Sequence, residues 1–394
     1  MRGVEEMRGF GQMGYAIPAS DHEVGMNDRF FVEGQNRAAT LDNRGTLILD
    51  DDGRLDEQIL DAYWRCGFYV FERALSSTER DELVSDFEAL LERLPRDRES
   101  KGDRQGRPAA GLGFTMPSFR FAKPLSDPYG GSGLTGGRYE SKMTELKPPE
   151  GAPEEVLLNV SGCLQLMDAG RRLYGHPQLL RVAEAINGPD FTPFTDNIWV
   201  KQAGLGPSVA WHQDGTTHWD NPDLDRGTHG FNFMVQLYDT TPENALWVVP
   251  GSHARGKIDI KKKVEENGSD QLPDAVPMLM KAGDVAICNR QVLHGSFANA
   301  SAARRATFVF GFHRRSSVLG AQGWAKNPYD EDYVTTRCRI IPIAVDARSQ
   351  HFEDEERYVY EPFRHESHRH STETRKELIA NYNLNAIGLC SAAR

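Results

Sequence analysis

The sequence predicts a mainly β protein with flanking helices, and three observations lead there. Short β-type runs ("NIWVKQAG", "FNFMVQLYD", "ALWVVPG", "VPMLMKAGDVAICN" and "RATFVFGFH") follow one another between residues 197 and 313, separated by Gly, Pro, Asn and Asp. Amphipathic helical patterns come before these runs rather than between them, which favours a jelly roll or barrel with a helical buttress. The composition of the 394 residues, 39% hydrophobic and 26% charged, is that of a globular chain able to fill a large core.

Taken in order, residues 1–54 are polar and Gly-rich without a sustained period, and are expected to form an arm on the surface. The main domain is expected over 55–320. It opens with Leu55, Ile59, Leu60 and Tyr63 at helical spacing, and "GFYVF" then reads as a strand after a Gly stop. "SSTERDELVSDFEALLERL" is a second amphipathic helix, with Ser77 or Thr78 as N-cap and Leu83, Phe87, Leu90 and Leu91 on one face. Residues 101–140 are rich in Gly and Pro, and two readings stand: a functional lid or a mobile insertion. "HPQLLRVAEAIN" is a helix ended by Gly188 and Pro189. Residues 321–394 read as a polar and aromatic C-terminal extension packing on the core, closing with one helix, "TRKELIANYNL".

Composition also bounds the function. A net charge of -11 argues against nucleic acid or an anionic membrane as the main partner. No run approaches the roughly 18 apolar residues of a membrane span. The five cysteines form no CxxC pair and the first residues carry acids rather than an apolar core, so reduced thiols and a cytoplasmic location are expected. The expected partner is a small organic molecule, with monomer and homo-oligomer both open.

The stretch "AWHQDGTTHWD" (210–220) holds His-x-Asp twice, as His212/Asp214 and His218/Asp220. On an extended strand, residues two apart point to one side, so either pair could grip a metal. Such a pair with one distant histidine makes the two-His-one-carboxylate triad of non-haem iron sites, which leaves three coordination positions open. His253 in "PGSH" and His294 after "VAICNRQVL" are the candidates for the distant ligand. The cluster "HESHRH" (365–370), set among Arg, Ser and Glu, reads as a solvated tail.

Beyond the first pair come "ENALWVVPGSH" (243–253), "KAGDVAICNRQVLHGS" (281–296) and Arg304-Arg305 leading "ATFVFGF". With these motifs the sequence resembles the phytanoyl-CoA dioxygenase-like (PhyH) branch of the Fe(II)/2-oxoglutarate oxygenases. "YWRCGFYVFERALSSTERDEL" also looks like that family's opening helix, strand and helix, so the resemblance covers roughly residues 55–315. It implies a double-stranded β-helix (jelly roll, cupin-like) core. It also implies His212, Asp214 and His294 as metal ligands and catalytic residues, and Arg305, eleven residues after His294, as the anchor for the far carboxylate of 2-oxoglutarate. Arg offers a fixed fork of donors to a carboxylate, which Lys does not. Arg304 is the alternative if the strand register slips by one. Ser296 matches a position that can donate to the same carboxylate. Lys201 and Asn197 lie on the strand before the metal motif; they are expected at the cosubstrate or substrate pocket, with a surface salt bridge as the other reading of Lys201. His218 is expected on the pocket wall, and Trp247 either walls the cavity or belongs to the core.

The implied cofactor set is Fe(II), with 2-oxoglutarate and O2 as cosubstrates. The implied activity is a dioxygenase that oxidises, most simply by hydroxylation, a small organic substrate as 2-oxoglutarate is decarboxylated to succinate and CO2. Related halogenases have a small residue at the carboxylate position, so Asp214 argues for oxygenation. "LGFTMPSFRF" and "FNFMVQL" suit an apolar or amphipathic substrate, although core packing explains them equally well. Two other classes stand beside this reading: a non-oxidative, isomerase-like metal enzyme of cupin type, and a non-catalytic cupin-like binding domain.

Overall fold

A computed structural model describes residues 28–112, 119–133, 138–214, 230–320 and 330–381. Twelve strands are present among them: β1 (Arg44–Gly45), β2 (Phe68–Phe71), β3 (Phe119–Ala122), β4 (Val156–Ser161), β5 (Phe191–Lys201), β6 (Val209–His212), β7 (Gly230–Gln236), β8 (Leu246–Val248), β9 (Val276–Met278), β10 (Val285–Asn289), β11 (His294–Ser296) and β12 (Arg305–Arg314). The helices are α1 (Asp28–Ala38), α2 (Glu57–Cys66), α3 (Ser77–Glu92), α4 (Cys163–Leu166), α5 (Asp168–Tyr174), α6 (Pro177–Asn187), α7 (Ile260–Asn267), α8 (Arg315–Val318), α9 (Glu331–Cys338), α10 (Ile340–Ser349) and α11 (Thr372–Asn381).

The strands form two sheets, one of eight strands in the order β1-β2-β10-β7-β12-β5-β4-β3 and one of four in the order β6-β11-β8-β9. This is the expected double-stranded β-helix. Period-two alternation sorts each long strand of the large sheet into two faces. Ile198 and Val200 of β5, Phe231, Phe233 and Val235 of β7, and Ala306, Phe308 and Phe310 of β12 enter one core with Leu173, Tyr174, Leu179 and Ile186 of the helices. The intervening residues, including Asn197, Asn232, Met234, Arg305, Thr307 and Val309, line an interior cavity. The buttress therefore takes the apolar face and leaves the polar one for the site.

Local signals explain the element ends. Asp56 caps α2 by accepting from the amides of Gln58 and Ile59, and Gly67 ends it at φ 82°, where a side chain is disfavoured. The N-cap of α3 is Ser76, one residue before the expected Ser77 or Thr78, because only Ser76 places Glu79 at the third helical position for a reciprocal capping box.

Two terminal regions differ from expectation. The segment read as a surface arm contains α1, whose Phe30 and Phe31 are buried against Trp247 and Phe297, with the Phe30 and Trp247 rings stacked at 4.5 Å. Gly34 makes the approach possible, since a Cβ there would lie 2.5 Å from the Trp247 ring. Trp247 is thus core and not cavity wall. The C-terminal extension holds α9 and α10 as well as the expected last helix, and Ile340, Ile341, Ile343, Ala344 and Val345 are buried. Pro342 reads as a breaker in sequence, but it falls in the first turn of α10, where no amide is needed.

Truncating Phe30 to Ala tests whether the arm is part of the domain. Burial of this ring predicts a loss of about 3 kcal/mol of unfolding free energy in a urea titration; an unchanged midpoint would mean that α1 does not hold the barrel.

Candidate metal centre and cavity

His212 ends β6 and His294 begins β11, and the two are direct partners in the antiparallel pair. Their rings lie 4.1 Å apart, centroid to centroid. Gly295 permits this closeness, because a Cβ at that position would meet the Val209 carbonyl at 3.1 Å and the Trp211 ring at 3.2 Å. Each imidazole is fixed the same way: His212 Nδ1 lies 2.8 Å from the Ala210 carbonyl, and His294 Nδ1 lies 2.8 Å from that of Val292. A carbonyl only accepts, so Nδ1 carries the proton and Nε2 presents its lone pair.

Both Nε2 atoms face Asp214, at 3.6 Å from Oδ1 for His212 and 3.9 Å from Oδ2 for His294. One ligand atom from each of the three residues falls within 4.8 Å of the others, and all three residues are buried. Among the described residues this is the group of three metal-type side chains that closes on one point. Burial, reinforced by the neighbouring His294, pushes the His212 pKa well down, which keeps it neutral as a ligand must be. Burial alone would raise Asp214, but Arg138, His294 and His212 outweigh it and hold the carboxyl below its usual range. Two imidazoles and one carboxylate suit Fe(II).

The cavity beside this group is lined by Arg138, Tyr139, Phe194, Thr195, Asn197 and Trp199, and further by Asn232, Met234, Ser296, Arg305 and Thr307. Arg305 donates from Nη1 to the Asn244 carbonyl at 2.9 Å, its Nε has no partner, and no carboxylate pairs with it among the described residues. Burial pushes its pKa down to about 10, leaving it charged at neutral pH. Ser296 Oγ is also buried without a partner. A buried cation and hydroxyl lacking an acceptor on one cavity wall fit a carboxylate ligand. Arg304 faces the other side of the sheet, where it binds Glu88 and stacks on Tyr238 at 4.3 Å.

Lys201, expected on the pocket or in a surface salt bridge, does neither. It is the register partner of Arg305 and is buried, but its ammonium is held by the carbonyls of Pro207 and Phe297 and is not on the cavity wall. His253 is spent on the Trp64 carbonyl at 3.0 Å. His218 and Asp220 lie outside the described residues.

Sequence reasoning missed Arg138, Tyr139, Asn232 and Arg290. Arg138 Nη1 donates to Asp214 Oδ1 at 2.9 Å and Asn232 Nδ2 to Oδ2 at 3.0 Å. Tyr139 packs on the His212 ring at 4.7 Å. Arg290 is fully buried, bonds the Asp214 carbonyl and lies 3.7 Å over the Phe194 ring. Asn232 had a signal: it is a polar residue set among the apolar Phe231, Phe233 and Met234 of β7.

Residues 150–307 match the family model described as phytanoyl-CoA dioxygenase (PhyH). That segment contains His212, Asp214, His294, Ser296 and Arg305, and is shorter than the span of the resemblance read from sequence. The chain is 31% identical over 116 residues to phytanoyl-CoA dioxygenase 1 of Oryza sativa subsp. japonica, which covers 27% of this chain and only 38% of the rice protein. It is 26% identical over 210 residues to the L-proline trans-4-hydroxylase of Streptomyces griseoviridis, covering 47% of this chain and 76% of that one. Among solved structures, EctD from S. alaskensis with 2-oxoglutarate and 5-hydroxyectoine aligns at 19% identity and a TM-score of 0.47, covering 73% of this chain and 83% of that one. Among the described residues no helix is long and apolar enough to cross a membrane.

Replacing His212, Asp214 or His294 by Ala should each abolish stoichiometric Fe(II) binding, measured as iron retained after anaerobic loading and desalting. His218→Ala should retain the iron. Loss of iron in His218→Ala with retention in His212→Ala would move the site to the second His-x-Asp pair.

Proposed function

We propose that the chain, whose residues 150–307 match the phytanoyl-CoA dioxygenase (PhyH) family model, is an Fe(II)/2-oxoglutarate-dependent oxygenase of that family and hydroxylates a small organic molecule. The overall reaction is R–H + 2-oxoglutarate + O2 → R–OH + succinate + CO2. The observation that carries the reading is one cavity holding both a convergent two-His-one-Asp set and a buried arginine without a counter-ion.

In this reading His212 Nε2, His294 Nε2 and the Asp214 carboxylate hold Fe(II), and three positions remain for a chelating cosubstrate and O2. When bound, iron with 2-oxoglutarate supplies the oxidant that inserts oxygen into the substrate C–H bond. The side chains supply binding, orientation and exclusion of water. Arg305 and Ser296 take the far carboxylate of 2-oxoglutarate, which gives an acceptor to two buried atoms that otherwise lack one, Arg305 Nε and Ser296 Oγ. Phe194, Trp199, Met234 and Val309 keep the cavity dry, while Thr195 and Asn197 offer hydrogen bonds for orientation. An apolar wall with a few polar groups suits an amphipathic small molecule. An aspartate at position 214 leaves no room for a halide in place of the carboxylate and favours oxygenation.

An anaerobic titration with Fe(II) and 2-oxoglutarate should develop the visible metal-to-ligand charge-transfer band of the chelate. Iron binding without that band would favour a non-oxidative use of the metal. Arg305→Ala should weaken 2-oxoglutarate by about thirtyfold or more, the equivalent of roughly 2 kcal/mol for removing one partner of a buried charge pair. Arg304→Ala should leave the 2-oxoglutarate affinity unchanged, and the reverse pattern would reassign the anchor.

A further inference from the structure

Asp214 carries a donor on each carboxylate oxygen, and the two donors come from unrelated parts of the chain. Asn232 belongs to β7 in the barrel wall, whereas Arg138 belongs to the connection between β3 and β4. That connection is tightly tied. The Asp127 carboxylate collects the amides of Tyr129 at 3.2 Å, Gly130 at 2.9 Å and Met143 at 2.7 Å, and so closes the segment at both ends. Gly131 donates to the Tyr139 carbonyl at 2.9 Å, and the Tyr129 and Tyr139 rings stack at 5.1 Å with an interplanar angle of 19°. The next residue, Thr144, donates to Asp270 at 2.6 Å, and the Asp270 carbonyl in turn accepts from Trp211, the neighbour of His212. Arg138 therefore reaches Asp214 beside Tyr139, in a run of described residues (138–144) that is also keyed to the strand bearing the first ligand.

A carboxylate has about four lone-pair sites on its two oxygens. Chelation through both oxygens would consume one of the positions that the cosubstrate needs. A donor on each oxygen resists the rotation that would bring both to the metal. Charge acts in the same direction. Beside Fe(II) and one carboxylate, the Arg138 guanidinium opposes the arriving cation and favours the dianion that follows it. Resting on the reading proposed above, we infer that Arg138 is a positioning residue of the metal centre: together with Asn232 it restricts Asp214 to single-oxygen ligation, and it shifts the site from favouring metal alone towards favouring metal plus 2-oxoglutarate.

The inference predicts that the two ligands respond differently, one weakened and the other not, which a merely damaged fold does not produce. Arg138→Met should weaken 2-oxoglutarate by about tenfold or more, through loss of one buried positive charge beside the incoming dianion. Fe(II) binding in the same variant should be unchanged or tighter. The charge-transfer band should move to longer wavelength, because the iron becomes more electron-rich. Arg138→Lys, which restores the charge without the fork, should recover part of the 2-oxoglutarate affinity. Asn232→Ala removes a donor but no charge, so it should weaken 2-oxoglutarate less than Arg138→Met does; it stands as the second variant should Arg138→Met melt below the working temperature.

An unchanged 2-oxoglutarate affinity and band in Arg138→Met would overturn the inference, as would parallel weakening of both ligands. The two readings fail differently. A wild-type protein that binds iron without the band sinks the oxygenase reading, whereas a wild-type band left unmoved in Arg138→Met sinks only the role given to Arg138.

Discussion

The site depends on the pairing of His294 opposite His212 across β6 and β11. With a side-chain period of two, a slip of one residue would turn one imidazole away from the other. Several features pin the register. Gly295 lets the Trp211 ring and the Val209 carbonyl approach, and Trp211 is anchored by its own bond to Asp270. Each histidine is then locked by the carbonyl two residues before it, so the backbone that sets the register also sets the tautomer. Asp214 follows two residues after His212 and needs no strand of its own, because its amide is held by the Arg290 carbonyl at 2.7 Å.

Around this pair the described residues place four buried cations, Arg138, Lys201, Arg290 and Arg305, while the cavity lining carries one carboxylate, Asp214. Burying a charge is costly unless it is paired or well solvated by dipoles. Three of the four meet that requirement in different ways. Lys201 is wrapped by two carbonyls, Arg290 lies on Phe194 and bonds His313 at 2.9 Å, and Arg138 pairs with Asp214. Arg305 has one carbonyl and an unpartnered Nε. The least satisfied cation is the one on the cavity wall opposite nothing acidic, and that is where a dianionic cosubstrate would complete the balance.

Much of this was legible in the sequence. The β-runs, the helical buttress and the two His-x-Asp pairs follow from period and spacing along single strands, whereas the preference for the first pair, for His294 and for Arg305 over Arg304 comes from the resemblance to the PhyH family. What stayed hidden depends on contacts between distant segments. Arg138 is 76 residues from Asp214, in a Gly-rich stretch with no period, and nothing local distinguishes it from the other basic residues. Lys201 reads as a pocket residue because its strand faces the right way, but its side chain turns to carbonyls that only the second sheet supplies. Trp247 and the paired phenylalanines of α1 each look ambiguous alone, and become core only when the helix is laid on the barrel.

The residues that bear the reaction and those that frame it have different origins in the chain. The three candidate ligands, Ser296 and Arg305 all fall within residues 150–307, the segment shared with the family. Arg138 and Tyr139 lie before it, at the end of the 101–140 stretch for which a lid and an insertion were both open in sequence. Among the described residues, Tyr139 packs against His212, Arg138 binds Asp214, and Met143 and Thr144 donate to Asp127 and Asp270. In the oxygenase reading, the family segment therefore speaks to the type of reaction, while the preceding segment sets how the carboxylate ligand is presented and shapes the space left for the substrate. Chains that share the core but differ in this segment would be expected to keep the cosubstrate and change the molecule they oxidise.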